Sequence, residues 1–513
     1  MNFIGRFMAG VSAFRQAYVS AGDDAAKFES VEARRVRYLL FFAFYENTAY
    51  SDVHKWAQSF RSDEHLYKYI RGIYNPSRRL CEFYKAHLLA GSLDFKDPTQ
   101  GAIPIETDNP AILPYIADIW RDSNMQSLKD VVALRGAIEG DVFLAVADDL
   151  TRGKVSVQWI NPYTVSDVSF DGAGNIKGYV IEETRQHPEG KRDVQYKLEV
   201  TRDGQNVVYR TYLNNAPYGW YGQPSQWAEP YGFVPMVHIK HNDVGLEYGW
   251  SEIYPLRGKV QEVDEQASML SDYLRKYHDP LWLLPGGRRA LNLTIDDGDA
   301  STTDPQPGRD KIRTLTGYPE GTKAQALVTD MKVADTLAHI ASMQEELERD
   351  CPELKDDIWS VGDTSGRALR IARQRVEANV YQRRANYDNG IVRIQQMALS
   401  IGGFRGYFPG IGLESYERGQ LDHMVADRAV FQQDPMDQAE IDEKEWEVIN
   451  SIVKAGASLE GALESRGWPQ DKIRVLLNTG DGQAQNTEGD NDGEQRERGE
   501  NGSGVPRSGN EAV

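Results

Sequence analysis

Nine histidines and two cysteines are the side chains here best suited to metal or nucleophilic chemistry, and their spacing argues against both. The histidines are His54, His65, His87, His187, His238, His241, His278, His339 and His423. None forms an HExxH pair, and Cys81 and Cys351 make no CxxC, so no zinc site is readable. Each histidine reads as surface or as satisfied core. No GxSxG elbow marks a serine hydrolase. Gly317 to Lys323 looks like a phosphate loop, but it lacks the spacing of one and joins no buried strand to a helix. Carboxylates are plentiful, yet carboxylate pairs in an acidic chain are usually solvated faces. No catalytic residue, metal or cofactor is therefore expected. The weight moves from an enzyme toward a structural or interaction protein.

Composition narrows this further. The chain has 513 residues, 58 of them Lys or Arg and 77 Asp or Glu, for a formal charge of −19. That excludes a generic DNA-coating protein, which needs a basic surface. The longest apolar run, Leu39 to Phe44, is far too short to span a membrane. Two cysteines do not make a disulfide scaffold. Met1 to Gly10 lacks the basic, apolar and cleavage pattern of a signal peptide, so a reducing, intracellular setting is expected. Ten Trp and 26 Tyr supply ample area for a core or an interface.

The elements follow from period and punctuation. Helices are expected over Val31–Tyr45, Asp63–Ile70 and Ser77–Leu89, then one after Asn109-Pro110 and one capped by Ser127. From Asp141 the period becomes that of strands: 142–146, 155–159, 179–181, 198–200, 207–209 and 237–239, with Asp203-Gly204 as a hairpin signal. A helix is then read from about Ser251 to Tyr277. Ile253, Leu256, Val260, Val263, Ala267, Leu270 and Leu274 repeat at spacings of three and four, a heptad seam. Its length would be about 40 Å. Leu281 to Ala324 is rich in Gly, Pro, Asp and Thr, with strand-like pieces at 281–284, 291–295 and 312–315. A second rod helix spans about Met331 to Asp350, with Val333, Leu337, Ile340 and Leu347 on one face. A polar loop, 351–365, leads into an arginine-rich helix over about 366–397, and Phe404 to Phe408 reads as strand-like or irregular. Two or three acidic helices occupy 434–477, with Trp446, Ile449, Ile452 and Val453 on one face. From Thr479 the composition is that of a disordered tail. No internal repeat is visible. The fold class is α+β and mainly helical.

Several stretches, taken in order, resemble the portal protein of tailed double-stranded DNA bacteriophages. Tyr69 to Pro76 with Arg79-Leu80 is similar to the entry of that family's wing. Glu139 to Leu144, Val157 to Pro162 and Asp171 to Tyr179 resemble its wing strands. Gly249-Trp250-Ser251-Glu252-Ile253-Tyr254-Pro255-Leu256 resembles the start of its stem, and Thr364 to Leu369 the step from tunnel loop to long helix. The likeness covers about residues 30 to 475. It implies a flexible segment at 1–29, a wing at 30–249, stem helices at 250–278 and 328–350, and a clip at 279–327. It further implies a tunnel loop at 351–365, a long helix and wing return at 366–433, a crown at 434–478 and a disordered acidic tail at 479–513.

The same resemblance implies a ring of twelve copies at one capsid vertex, with double-stranded DNA passing through the channel without sequence specificity. Partners would be the major capsid and scaffolding proteins, the terminase large subunit and later the head–tail adaptor. The setting would be the virion, reached through the host cytoplasm, with no membrane and no catalysis. By carry-over, Lys355, Asp356, Asp357, Ile358, Trp359, Val361 and Gly362 line the constriction. Lys355 would touch DNA, and Ile358, Trp359 and Val361 would brace the loop, although Trp359 reads equally as core. The stem would pack through Ile253, Leu256, Val260, Val263, Leu270, Leu274, Leu337 and Ile340. Arg288, Arg289, Arg309 and Lys311 would serve docking at the clip. Arg367, Arg370 and Arg373, with Arg375, Arg383, Arg384 and Arg393, read as inter-subunit ion pairs, as a DNA-facing surface or as a solvated face. A ring of such acidic subunits would repel phosphates and let DNA slide. Another connector or minor capsid component, or an enzyme with an unread site, are the competing readings.

Overall fold

A computed structural model describes residues 30–50, 70–171, 174–187, 190, 192–220, 223–278, 281–283, 325–327, 332–355, 366–431, 435–466 and 473. The chain divides into two compact units, Met1–Phe431 and Gln432–Val513. The class is α+β.

The first unit opens on α1 (Val31–Tyr45), where the Ser30 hydroxyl accepts from the Ala33 amide. Helix α2 (Pro76–His87) begins with the Asn75 side chain accepting from Arg78 and with Pro76 at its first position. There the missing amide costs nothing. A 3-10 turn at Pro110–Ile112 leads into α3 (Leu113–Asp122), and α4 (Met125–Glu139) follows. Ser127 does not cap α4. The helix starts two residues earlier, from Asn124 in the left-handed region (φ 49°), and the Ser127 amide donates to the Asn124 carbonyl.

Two antiparallel sheets come next. Strands β1 (Asp141–Asp149), β2 (Lys154–Ile160) and β8 (Met236–Lys240) form one, in the order β8-β1-β2. The other runs β3 (Val165–Phe170), β4 (Ile176–Gln186), β5 (Asp193–Asp203) and β6 (Asn206–Leu213). Its last strand also pairs with β7 (Gln226–Glu229) and the short Ala216–Pro217. The expected hairpin is present: Asp203 pairs with Asn206 around Gly204 at φ 62°.

Helix α5 (Arg257–His278) and helix α6 (Val333–Asp350) are the two rods. Between them β9 (Leu281–Leu283) pairs antiparallel with β10 (Gln325–Leu327). Rod α5 starts at Arg257, later than the heptad pattern suggested. Before it, Ser251 to Leu256 forms turns, in which the Tyr254 amide donates to the Ser251 carbonyl and the Leu256 amide to the Ile253 carbonyl, while the Glu252 amide is held by the Ala137 carbonyl. Helix α7 (Gly366–Phe404) crosses all three strands of the β8-β1-β2 sheet. Val376, Val380, Tyr387, Ile391, Ile394, Ala398 and Ile401 bury one stripe of it. It outruns its expected end, and Phe404 to Phe408 is a helix terminus with a turn rather than a strand. The Gly402 carbonyl accepts from Tyr407 there, which bends the chain back onto the helix end.

The second unit contains α8 (Pro435–Lys454) and α9 (Leu459–Ser465), the latter capped by Ser458. Ile449, Ala462, Leu463 and Ile473 form its core, with Ile452 and Val453 against them. Trp446 lies nearer the surface than its place in the apolar pattern suggests.

Candidate functional site

Two motifs about a hundred residues apart, Glu139-Gly140-Asp141 and Gly249-Trp250-Ser251-Glu252-Ile253, lie directly against one another. Gly140 ends α4 at φ 90°, and a side chain there would sit 2.6 Å from the Ser251 amide and 2.7 Å from the Gly249 carbonyl. A side chain at Gly249 would sit 2.2 Å from the Gly140 carbonyl. Only glycine satisfies both the left-handed backbone and the close crossing. The Glu252 amide and the Ser251 hydroxyl both donate to the Ala137 carbonyl. The carboxylate of Asp141, fully buried, ties the crossing together. It accepts from the Gly249 amide at 2.7 Å, the Tyr38 hydroxyl at 2.6 Å and His238 Nε2 at 2.7 Å. Burial would raise the Asp141 carboxyl, but His238, with Arg37 and Tyr38 beside it, holds it below its usual value.

A second buried network begins one residue later. Glu252 Oε1 accepts from Arg383 Nε at 2.8 Å and from His241 Nε2 at 3.1 Å, while His241 Nδ1 accepts from the Tyr387 hydroxyl at 2.8 Å. Burial lowers His241, which stays neutral. Burial would raise Glu252, but the His241 bond and the Arg383 charge keep it ionised. Beyond α6, the expected polar loop opens as a buried 3-10 turn, Pro352–Leu354. Glu353 Oε1 there accepts from the Tyr84 hydroxyl at 3.0 Å and from Asn379 Nδ2 at 2.8 Å, and Arg79 donates to the Leu354 carbonyl at 3.1 Å. Burial pushes the Cys351 thiol up to about 12 and the Cys81 thiol well above its ordinary range, so neither is a nucleophile at neutral pH.

The helix expected over Asp63–Ile70 lies, but for Ile70, outside the described residues, and the stretch 70–75, in neither helix nor strand, runs along α5. Asp264, Ser268 and Asp272, spaced by four, present one polar stripe to it. Asp264 Oδ1 accepts from the Ile73 amide at 2.9 Å and the Tyr74 amide at 2.8 Å. Ser268 Oγ accepts from the Arg71 amide at 2.9 Å, and Asp272 pairs with the Arg71 guanidinium at 2.8 Å. Burial raises the Asp264 carboxyl to about 6, against the two amides that favour its charge.

The seam divides in three. Ile253, Leu256 and Val260 belong to the core of the body. Val263 and Leu270 pack with Ile340, joined by Tyr74, Ala267, Val333 and Met343. Leu274 and Leu337 are exposed, at 39% and 52%. Since Lys259 meets Asp350 at 2.6 Å and Leu281 pairs with Leu327, the rods run side by side in opposite directions, with Leu274 and Leu337 at one level.

Of the arginines, Arg383 is buried against Glu252 rather than offered to a neighbour or to DNA. Arg384 donates to the carbonyls of His87, Leu88 and Arg428, closing the C-terminus of α2. Arg393 bonds Asn175. For buried Arg383 and Arg384, the inter-subunit and DNA-facing readings give way to ties within the chain. Arg373 lies over the Phe431 ring at 4.8 Å, and Arg375 is exposed. Arg367 and Arg370 lie in α7, their side chains outside the described residues. Lys355 closes the 3-10 turn, its amide donating to the Pro352 carbonyl. Asp356, Asp357, Ile358, Trp359, Val361, Gly362, Arg288, Arg289, Arg309 and Lys311 lie outside the described residues, as do 51–69. The sequence reading missed the carboxylate roles of Asp141, Glu252, Asp264 and Glu353. For Asp141, Glu252 and Asp264 the usable signal was position, beside a motif or on the seam helix, whereas Glu353 offered none. Among the described residues no His, Cys, Asp and Glu cluster could hold a metal, and no helix is long and apolar enough to cross a membrane.

No family model matches the sequence, and no curated protein does. Among solved structures, the chain aligns with one described as "Virion of native gene transfer agent (GTA) particle". The identity is 13%, over 77% of this chain and 90% of that one, with a TM-score of 0.37.

Proposed function

We propose that this chain is a portal subunit: twelve copies form a ring at one capsid vertex, and double-stranded DNA is packaged and ejected through the axial channel. The observation that carries the reading is the pair of antiparallel rods. They leave the body together at Lys259 and Asp350, are joined at the far end by the Leu281–Leu327 pairing, and expose apolar residues where each other's cover runs out. Leu274, Leu337 and Met269, at 44% exposure, are the side chains a neighbouring rod would cover. The element order supports the same reading, since α6 is followed by the Pro352–Leu354 turn and, next among the described elements, by a long helix, α7. The net charge of −19 per copy suits a conduit that does not hold phosphates by counterion release. In this reading the chain hydrolyses nothing. The terminase docks on it and supplies the work, and the head–tail adaptor follows.

Native mass spectrometry with negative-stain imaging of the purified chain tests this. A ring of about twelve subunits with a central hole is expected. A chain that stays monomeric or dimeric, alone and with scaffolding protein, sinks the proposal. ATP turnover by the isolated chain would count against it as well.

A further inference from the structure

Asn379, Arg383 and Tyr387 stand one turn apart on a single stripe of α7, and each holds a different part of the chain. Asn379 donates to Glu353 in the turn that follows α6. Arg383 donates to Glu252 in the segment that precedes α5. Tyr387 donates to His241 after β8. Tyr84 of α2 spans the first two, since its hydroxyl donates to Glu353 while the Arg383 guanidinium lies over its ring at 5.7 Å. Within this buried group there are two carboxylates, one guanidinium and a neutral imidazole. Neither carboxylate can be displaced without altering the field and the hydrogen bonds at the other.

We infer that this stripe is a coupling device, making the position of the Pro352–Leu354 turn and that of the Ser251–Leu256 entry interdependent. The entry is the body end of α5 and the turn is the body end of α6. Both rods are therefore clamped to one helix, and a displacement of either is shared by the other. Transmission between sites requires a shared element whose arrangement both sites bias, and α7 carries one tie to each. Its consequence for a portal, that load on one rod reaches the next through α7, rests on the reading above. The coupling itself does not.

The test is hydrogen exchange read by mass spectrometry on the full chain, comparing the parent with Asn379→Ala, Glu353→Gln and Glu252→Gln. Asn379→Ala and Glu353→Gln should raise exchange at 249–256 by about fivefold or more, as well as at 351–355. Glu252→Gln should do the reverse. Changes confined to each variant's own segment, with the Glu252→Gln/Glu353→Gln double variant additive in unfolding, overturn the inference. If Glu252→Gln does not fold, the response of 249–256 to the other two decides the matter. Coupled exchange in a chain that never forms a ring would retire the portal reading and keep the coupling. A ring with uncoupled exchange would do the opposite.

Discussion

At their body end the two rods are tied by charge and backbone: Lys259 to Asp350, Asp264 to the amides of Ile73 and Tyr74, Glu252 to Arg383. A few turns outward α5 is tied through Asp272 to Arg71, and beyond that Leu274, with Leu337 level with it on α6, is exposed. One heptad pattern runs through both halves. The difference is what each half has to pack on. The inner half finds a core within its own chain, and the outer half finds the other rod and, as far as Asp272, the 70–75 stretch, which together leave Leu274 and Leu337 open. A repeating apolar seam therefore says that a helix has partners, without saying whether they are in the same chain.

The comparison can be broken most severely at the glycine crossing. Gly140→Ala puts a side chain 2.6 Å from the Ser251 amide at a left-handed residue, and should cost more than about 3 kcal/mol in chemical unfolding. A loss under about 1 kcal/mol would mean that the inner half is not rigidly anchored. Next, Arg383→Ala leaves Glu252 buried without its cation and should cost about 3–5 kcal/mol. A near-neutral result would remove the network from the account.

Asp264→Asn is expected to go the other way. The carboxyl sits at about 6 in the folded chain against 3.8 unfolded, so the charged form lowers stability above pH 6, and the burden lifts as pH falls through 6 toward 3.8. Both amides converge on Oδ1, which asparagine retains. The variant should gain at most about 3 kcal/mol at pH 8, and the gain should vanish by pH 4. Unfolding midpoints at pH 8, 6 and 4 check this, and an equal loss at every pH contradicts it. The smallest effect belongs to the outer half. Leu274→Gln with Leu337→Gln should change the unfolding of the unassembled chain by less than about 0.5 kcal/mol, yet weaken ring formation on native mass spectrometry. A large loss of stability with assembly intact would show that those side chains serve the single chain.

Much of the architecture was legible because local signals agreed. Ser30, Asn75-Pro76 and Asp203-Gly204 set boundaries with their own side chains or backbone preferences. The start of α5 was not legible. The turns that precede it are pinned to the Ala137 carbonyl, more than a hundred residues away, and no periodicity encodes that. The course of 70–75 failed to show for the same reason, since its partners are three side chains on α5. For the candidate site, the motifs around Gly140 and Gly249 were visible as separate strings, but their meeting was not. The arginines of α7 show the sharpest limit. Their spacing described a basic helix, whereas burial decides that Arg383 and Arg384 work inside the chain. Lone carboxylates such as Glu353 carry no pattern at all.

The pairing of Leu281–Leu283 with Gln325–Leu327 has a consequence for how such a chain can diversify. The two ends of the intervening stretch are held side by side by the rods and this ladder, so the gap that its closure must span is set by the described chain. The entropy of closing a loop grows only logarithmically, and doubling its length costs about 0.6 kcal/mol. In closure entropy alone, then, a longer or shorter stretch between Leu283 and Gln325 would cost the rods little.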